Sequence, residues 1–152
     1  MELVDQKDKH GRTSLHYAAS IGYLEGVQTL LGQSNFDQYQ RDDEGFSPIH
    51  VASMRGNVDI VKELLQNLIN EKDKGGNTPL HSATMHAHPK VVNYLTWDKR
   101  VDVNLVNNEG QTVFDIAVSV EHPTSFHQTN LDNTQVYWCT TSRKFKGPTK
   151  TT

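Results

Sequence analysis

The sequence predicts an all-α repeat solenoid, a stack of short antiparallel helix pairs joined by hairpin turns, on three observations. The first is recurrence: GRTSLHYAAS from Gly11, GFSPIHVASMRG from Gly45 and GNTPLHSATMHA from Gly76 are one phrase written three times, with a worn fourth copy, GQTVFDIAVS, from Gly110. The second is spacing, since the equivalent residues His16, His50, His81 and Asp115 lie 34, 31 and 34 residues apart. A period of this length marks a repeat architecture, in which each unit buries its apolar face only against its neighbours. The third is that apolar residues after each phrase recur at helical spacing.

Each unit opens with a turn. Asp8, Asp42 and Asp73 stand three residues before a glycine, the pattern of a hairpin tip whose glycine takes positive φ at little steric cost. Thr13, Ser47, Thr78 and Thr112 then share one position and are of the type that accepts a backbone hydrogen at a helix N-cap. Pro48 and Pro79 follow at the first helical position, where their missing N–H costs nothing.

The first helix of each unit carries small residues that let neighbouring helices approach closely: Ala18 and Ala19, Ala52 and Ser53, Ala83 and Thr84. It stops at Gly22, Gly56 and, in the third copy, Ala87. A second helix presents Leu24, Val27, Leu30 and Leu31, then Val58, Val61, Leu64 and Leu65, then Val91, Val92 and Leu95. The fourth unit keeps the turn at Asn108, Glu109 and Gly110, the cap Thr112, and Phe114, Ile116 and Ala117. Glu121, His122 and Pro123 then interrupt it, so it reads as half a repeat.

The organisation that results is a lead-in at 1–7, repeats at about 8–41, 42–72 and 73–106, a partial repeat at 107–121 and a tail at 122–152. That tail is rich in Ser, Thr, Asn, Gln, Lys and Pro, shows no useful period, and is expected to be irregular and mostly disordered. Its end is basic through Arg143, Lys144, Lys146 and Lys150, which reads as a solvated terminus rather than a lipid-binding cluster.

A period near 33 built on T-P-L-H-x-A resembles the ankyrin-repeat family across roughly residues 5–121. The segment HPKVVNYLTWDKRVDVNLVNNEGQTVFDIA is, more narrowly, similar to the final repeats of plant ankyrin proteins that carry a C-terminal PGG-type transmembrane domain; that domain is absent here. This resemblance implies a stack facing the cytosol that serves protein contacts, in proteins linked to stress and defence signalling. Hairpin tips and first-helix ends would line a concave surface for a partner protein.

The tip residues change from unit to unit on a constant frame, as specificity requires: Lys9, His10 and Arg12; Asp43, Glu44 and Phe46; Lys74 and Asn77; Asn108, Glu109 and Gln111. Beside them the resemblance places Ser20 and Ile21, Met54 and Arg55, Met85 and His86, with Ile21, Met54 and Met85 expected to form an apolar row. The alternative is a truncated regulatory fragment of a membrane ankyrin protein. It would associate with full-length relatives through the open face of its last repeat, at Phe114, Ile116 and Val120.

Other function classes find little support. Net charge is −3 and the sequence pI about 6.2, so the clustered positive charge that nucleic acid requires is lacking. Hydrophobic content of 35% and mean hydropathy of −0.64 suit a thin solenoid, and no run of about 18 apolar residues offers a membrane span. MELVDQKDKH lacks the apolar stretch of a signal peptide, and the lone Cys139 suits a reducing compartment; the expectation is a soluble, cytoplasmic protein.

No cofactor or metal is expected. His16, His50 and His81 recur at one place in the repeat, which one structural task explains, and His81, His86 and His88 lack the i, i+4 relation of paired zinc ligands. Cys139 has no positioned base, and no phosphate loop or nucleophile elbow occurs, so no enzyme activity is expected.

Overall fold

The computed structural model describes residues 6–119 and the segments Phe126–Leu131, Thr134–Cys139 and Arg143–Lys146. Each repeat phrase begins a helix where its cap residue predicts. Helices α1 (Ser14–Ile21), α3 (Pro48–Arg55), α5 (Pro79–Met85) and α7 (Val113–Ser119) form one layer, α1 against α3, α3 against α5 and α5 against α7. Helices α2 (Leu24–Leu31), α4 (Val58–Leu68) and α6 (Pro89–Trp97) form the other, each paired with the first helix of its own unit.

Thr13, Ser47 and Thr78 sit in extended backbone immediately before their helices, as N-caps do. The apolar stripes meet between the layers: Val27, Val61, Leu64, Leu65, Val91, Val92 and Leu95 are buried, together with Leu15, Ile49 and Leu80 from the first helices. Ala19, Ala52 and Ala83 are fully buried, so small side chains do set the spacing between units. The 31-residue interval arises in a loop, since α4 runs to Leu68 and only four residues separate it from Asp73.

Gly22 and Gly56 end their helices in the left-handed region, at φ 75° and 74°. Ala87 occupies the same place in the third unit at φ 56°, the one non-glycine residue with positive φ among those described. A Cβ in that conformation costs about 1–2 kcal/mol, partly offset by the greater freedom a glycine would give the unfolded chain. Ala87→Gly is therefore expected to stabilise the protein by up to about 1 kcal/mol, seen as a higher urea midpoint at unchanged slope.

The turns are built alike. Asp8 accepts backbone hydrogen bonds from His10 and Arg12, Asp42 from Glu44 and Phe46, and Asn107 from Glu109 and Gln111, all at 2.8–3.0 Å. Tips press directly on one another. At Gly45, φ is 82° and an added Cβ would fall 2.8 Å from the backbone N of Lys74, so glycine is required twice over. At Gly110 the equivalent space is open.

Two ladders of hydrogen bonds cross from unit to unit. In the first, the buried rings of His16, His50 and His81 donate from Nε2 to the backbone carbonyls of Phe46, Asn77 and Gln111, at 2.9, 2.9 and 3.1 Å. Each Nδ1 faces the hydroxyl of its own cap residue, Thr13, Ser47 or Thr78, at 2.8–2.9 Å. In the second, which the sequence reading did not anticipate, the cation just before each turn reaches the equivalent carbonyl of the next unit. Lys7 donates to Arg41 O, Arg41 to Lys72 O and Lys72 to Val106 O.

Both ladders stop in the fourth unit. Val106 stands where a cation would be, and Asp115 replaces the histidine and turns its carboxylate back on Thr112, accepting from the backbone N–H and the hydroxyl at 2.8 Å each.

The chain beyond α7 departs from the irregular tail read from the sequence. Strands β1 (Phe126–Leu131), β2 (Thr134–Cys139) and β3 (Arg143–Lys146) form an antiparallel meander, with Phe126 opposite Cys139, Leu131 opposite Thr134 and Val136 opposite Lys146. Strand-prone residues such as Val136, Tyr137, Trp138 and Phe145 are gathered there without regular alternation, so periodicity gave no signal. The rest of that tail, Val120 and residues 1–5 lie outside the described residues.

Candidate partner-binding surface

The side chains that differ between units collect where the first and second repeats meet. A cavity of about 220 Å³ lies between α1, α3 and the second hairpin tip, lined by six of the residues predicted to bind a partner: Arg12, Ser20, Glu44, Phe46, Met54 and Arg55. It also includes Tyr17 and Val51, which the sequence reading missed, with buried His16 and Asp42 behind them. Tyr17 and Val51 each follow the repeated histidine directly, and that position varies from unit to unit much as the tips do, which was the available signal.

The cavity is held by polar contacts at its edges. Asp42 is buried; one carboxylate oxygen takes the turn N–H groups, and the other faces Arg12 Nε at 3.8 Å. The Tyr17 hydroxyl donates to Asp8 at 2.5 Å, which with the turn N–H bonds lowers the Asp8 pKa to about 2. The Phe46 ring lies 6.3 Å from that of His50, tilted by 48°. Arg55 and Glu44 line the cavity with exposed side chains for which the described residues provide no ion-pair or hydrogen-bond partner.

The remaining predicted residues divide. Lys74 reaches the Asp43 carbonyl, Asn108 the Lys74 carbonyl at 2.8 Å, and Asn107 bridges Asn77 at 3.2 Å and Gln111 at 3.1 Å. Each of these tips is stitched to the tip before it. Lys9, His10, Asp43 and Glu109 are exposed at the tips, Met85 is half-buried, and His86 bonds back to Ser82 O in its own helix at 2.9 Å.

Ile21 needs correction. It does not stand in a row with Met54 and Met85, because in the repeat it aligns with Arg55 and His86. At 75% exposure it lines a separate opening of about 390 Å³ on the outer face of the first unit, with Ala18, Tyr23, Gly26 and Leu30. There the Tyr23 ring covers Gly26, at whose place the next two units bury Ile60 and Val91.

Burial pushes the pKa values of His16, His50 and His81 below the ordinary 6.5, although their carbonyl partners favour the charged form. The rings are thus neutral hydrogen-bonding struts. His81, His86 and His88 point to different partners, Gln111 O, Ser82 O and Met54 O, and among the described residues no three His, Cys, Asp or Glu side chains gather as a metal site. No helix among the described residues is long and apolar enough to cross a membrane.

Residues 33–107 match a family model described as ankyrin repeats (three copies), and residues 10–43 one described as ankyrin repeat. The chain is 39% identical over 99 residues to transient receptor potential cation channel subfamily A member 1 of Homo sapiens, covering 62% of this chain and 9% of that protein. It is 34% identical over 96 residues to inversin of Gallus gallus, 62% of this chain and 9% of the relative. Over 51 residues it is 45% identical to protein ACCELERATED CELL DEATH 6 of Arabidopsis thaliana, 34% of this chain and 8% of the relative. The chain spans less than a tenth of the length of each of these three relatives.

Proposed function

The chain belongs to the ankyrin-repeat family, and from that premise we propose that it is a non-catalytic protein-interaction module whose partner binds the concave surface, centred on the cavity between the first two repeats. The observation that carries this reading is the cavity's composition. It gathers variable residues of both units and leaves the charged side chains of Arg55 and Glu44 without a partner among the described residues. A rigid stack offers such a surface with little ordering cost on binding. At about 220 Å³ the space is smaller than the roughly 300–1,000 Å³ of sites for cofactors and drug-sized ligands.

The finer setting, cytoplasmic and in plant stress or defence signalling, rests on the likeness to the Arabidopsis protein, whose name speaks of cell death. Association with full-length relatives through the last repeat has less support. Ile116 is buried, Phe114 is half-buried, and Val106 and Asp115 lack the donors by which one unit engages the next.

The test is capture of partners from a cell extract by the parent chain and by a variant carrying Arg12→Glu, Phe46→Ala and Arg55→Glu, with identification by mass spectrometry. Proteins held by the parent and lost with the variant are the expected result. Equal capture by both would move the binding site off this surface.

A further inference from the structure

Resting on the concave-surface reading, we infer that the cavity between the first two repeats receives one large apolar side chain of an extended partner segment, with an acidic residue on one flank meeting Arg55 and a basic residue on the other meeting Glu44. The anchor follows from the walls. Tyr17, Phe46, Val51 and Met54 present apolar surface to a space too small for a folded element, and the methionine can adjust to the shape that enters. Tyr17 is held at its hydroxyl by Asp8, so its ring is a preset wall rather than a mobile flap.

The flanks follow from charge. Four charged groups line the cavity, and two of them are already engaged: Asp42 is buried under turn N–H groups, with Arg12 beside it. Glu44 and Arg55 remain, and they do not pair with each other because they lie at opposite ends of α3, one at the tip before it and one at its last residue. An eight-residue helix separates its ends by about 10 Å at 1.5 Å per residue. Glu44 stands a further four residues before the helix begins, so one side chain of the partner cannot meet both charges. The partner motif is therefore an apolar anchor with an acid on one side and a base on the other.

A phage-displayed library of random dodecapeptides, selected on the immobilised full chain, tests this. The expected result is enrichment of peptides with an apolar residue flanked by an acid on one side and a base on the other, with affinity falling about tenfold or more on Arg55→Glu or Glu44→Lys. Selection on Arg55→Glu should replace the acidic preference with a basic one while keeping the anchor, and selection on Glu44→Lys should do the reverse. Both substitutions are at exposed positions, and circular dichroism checks that the helices persist.

Peptides that depend on Phe46 but show no flanking charge preference, or whose preference neither reversal moves, would overturn the inference and leave the concave reading standing. Peptides indifferent to Phe46→Ala, or no enrichment at all on the parent chain, would overturn it together with that reading's choice of centre.

Discussion

Ala52→Asp should destabilise the protein by several kcal/mol. Ala52 is fully buried in α3, which packs against α1, α4 and α5, and the surrounding cluster is apolar. An aspartate there must either bury an unpaired carboxylate or force the helices apart, at a cost of several kcal/mol. Domains of this size are stable by only about 5–15 kcal/mol, so one such charge consumes much of the total. Ala52→Gly, which loses only helix propensity and a methyl, should cost about 1 kcal/mol and serves as the control. Thermal unfolding followed by circular dichroism reads both; an aspartate variant melting within a degree or two of the parent would contradict the packing described for α3.

Acidification should destabilise the protein in a window that opens above the carboxylate range. His16, His50 and His81 have native pKa values depressed below 6.5, chiefly by burial, so above pH 6.5 they are neutral in both states and contribute no pH dependence. As pH falls below 6.5 the unfolded chain takes up protons that the native chain refuses, and stability declines until the lowered native pKa values are passed. Each histidine that is charged only when unfolded removes about 1.4 kcal/mol per pH unit, and three acting together about 4.

Asp8, Asp98 and Asp115 shift in the opposite sense. Their native pKa values lie below the ordinary 3.8, so the stability they contribute is lost only near and below that value. Unfolding free energy measured between pH 7.5 and 4.5 should therefore be flat, then fall with a slope of several kcal/mol per unit. A slope near zero through pH 5.5 would mean that the three rings are not buried struts.

The helices were legible because their signals are local and repeated. Thr13, Ser47 and Thr78, the two prolines behind them and the left-handed Gly22 and Gly56 act within a few residues of where they stand. The histidine ladder was half legible: recurrence marked a shared task, but the acceptors are backbone carbonyls some thirty residues on, and a carbonyl leaves no trace in side-chain identity. The cation ladder was missed for the same reason, compounded by the change from Lys7 to Arg41 to Lys72, which reads as ordinary surface charge.

At the candidate site, tip variability singled out Arg12, Glu44 and Phe46, which line one cavity. Alignment within the repeat, applied strictly, would have separated Ile21 from Met54 and added Tyr17 and Val51. What no sequence pattern revealed is which side chains bond to the neighbouring tip, as Lys74 and Asn108 do, and which, such as Arg55 and Glu44 at the cavity, do not. That depends on which polar ends happen to reach each other.

The ladders also give the molecule a direction. Every histidine and cation rung has its donor in one unit and its acceptor in the following one, so the two ends are chemically unlike. Removing the first unit takes away His16 and leaves Phe46 O, which keeps its bond from Asp42 N, but it also strands the Asn57 amide that donates to Ala19 O and Ser20 O and the Asp43 N–H that donates to His10 O. Removing the fourth unit strands the buried His81 ring without its acceptor, Gln111 O. A carbonyl with one of two lone pairs filled tolerates that loss far better than a buried N–H left with nothing. Across the histidine ladder, shortening the array therefore costs a fully buried donor at the Asp115 side, whereas at the Arg12 side the donors stranded are the half-buried Asn57 amide and an exposed tip N–H.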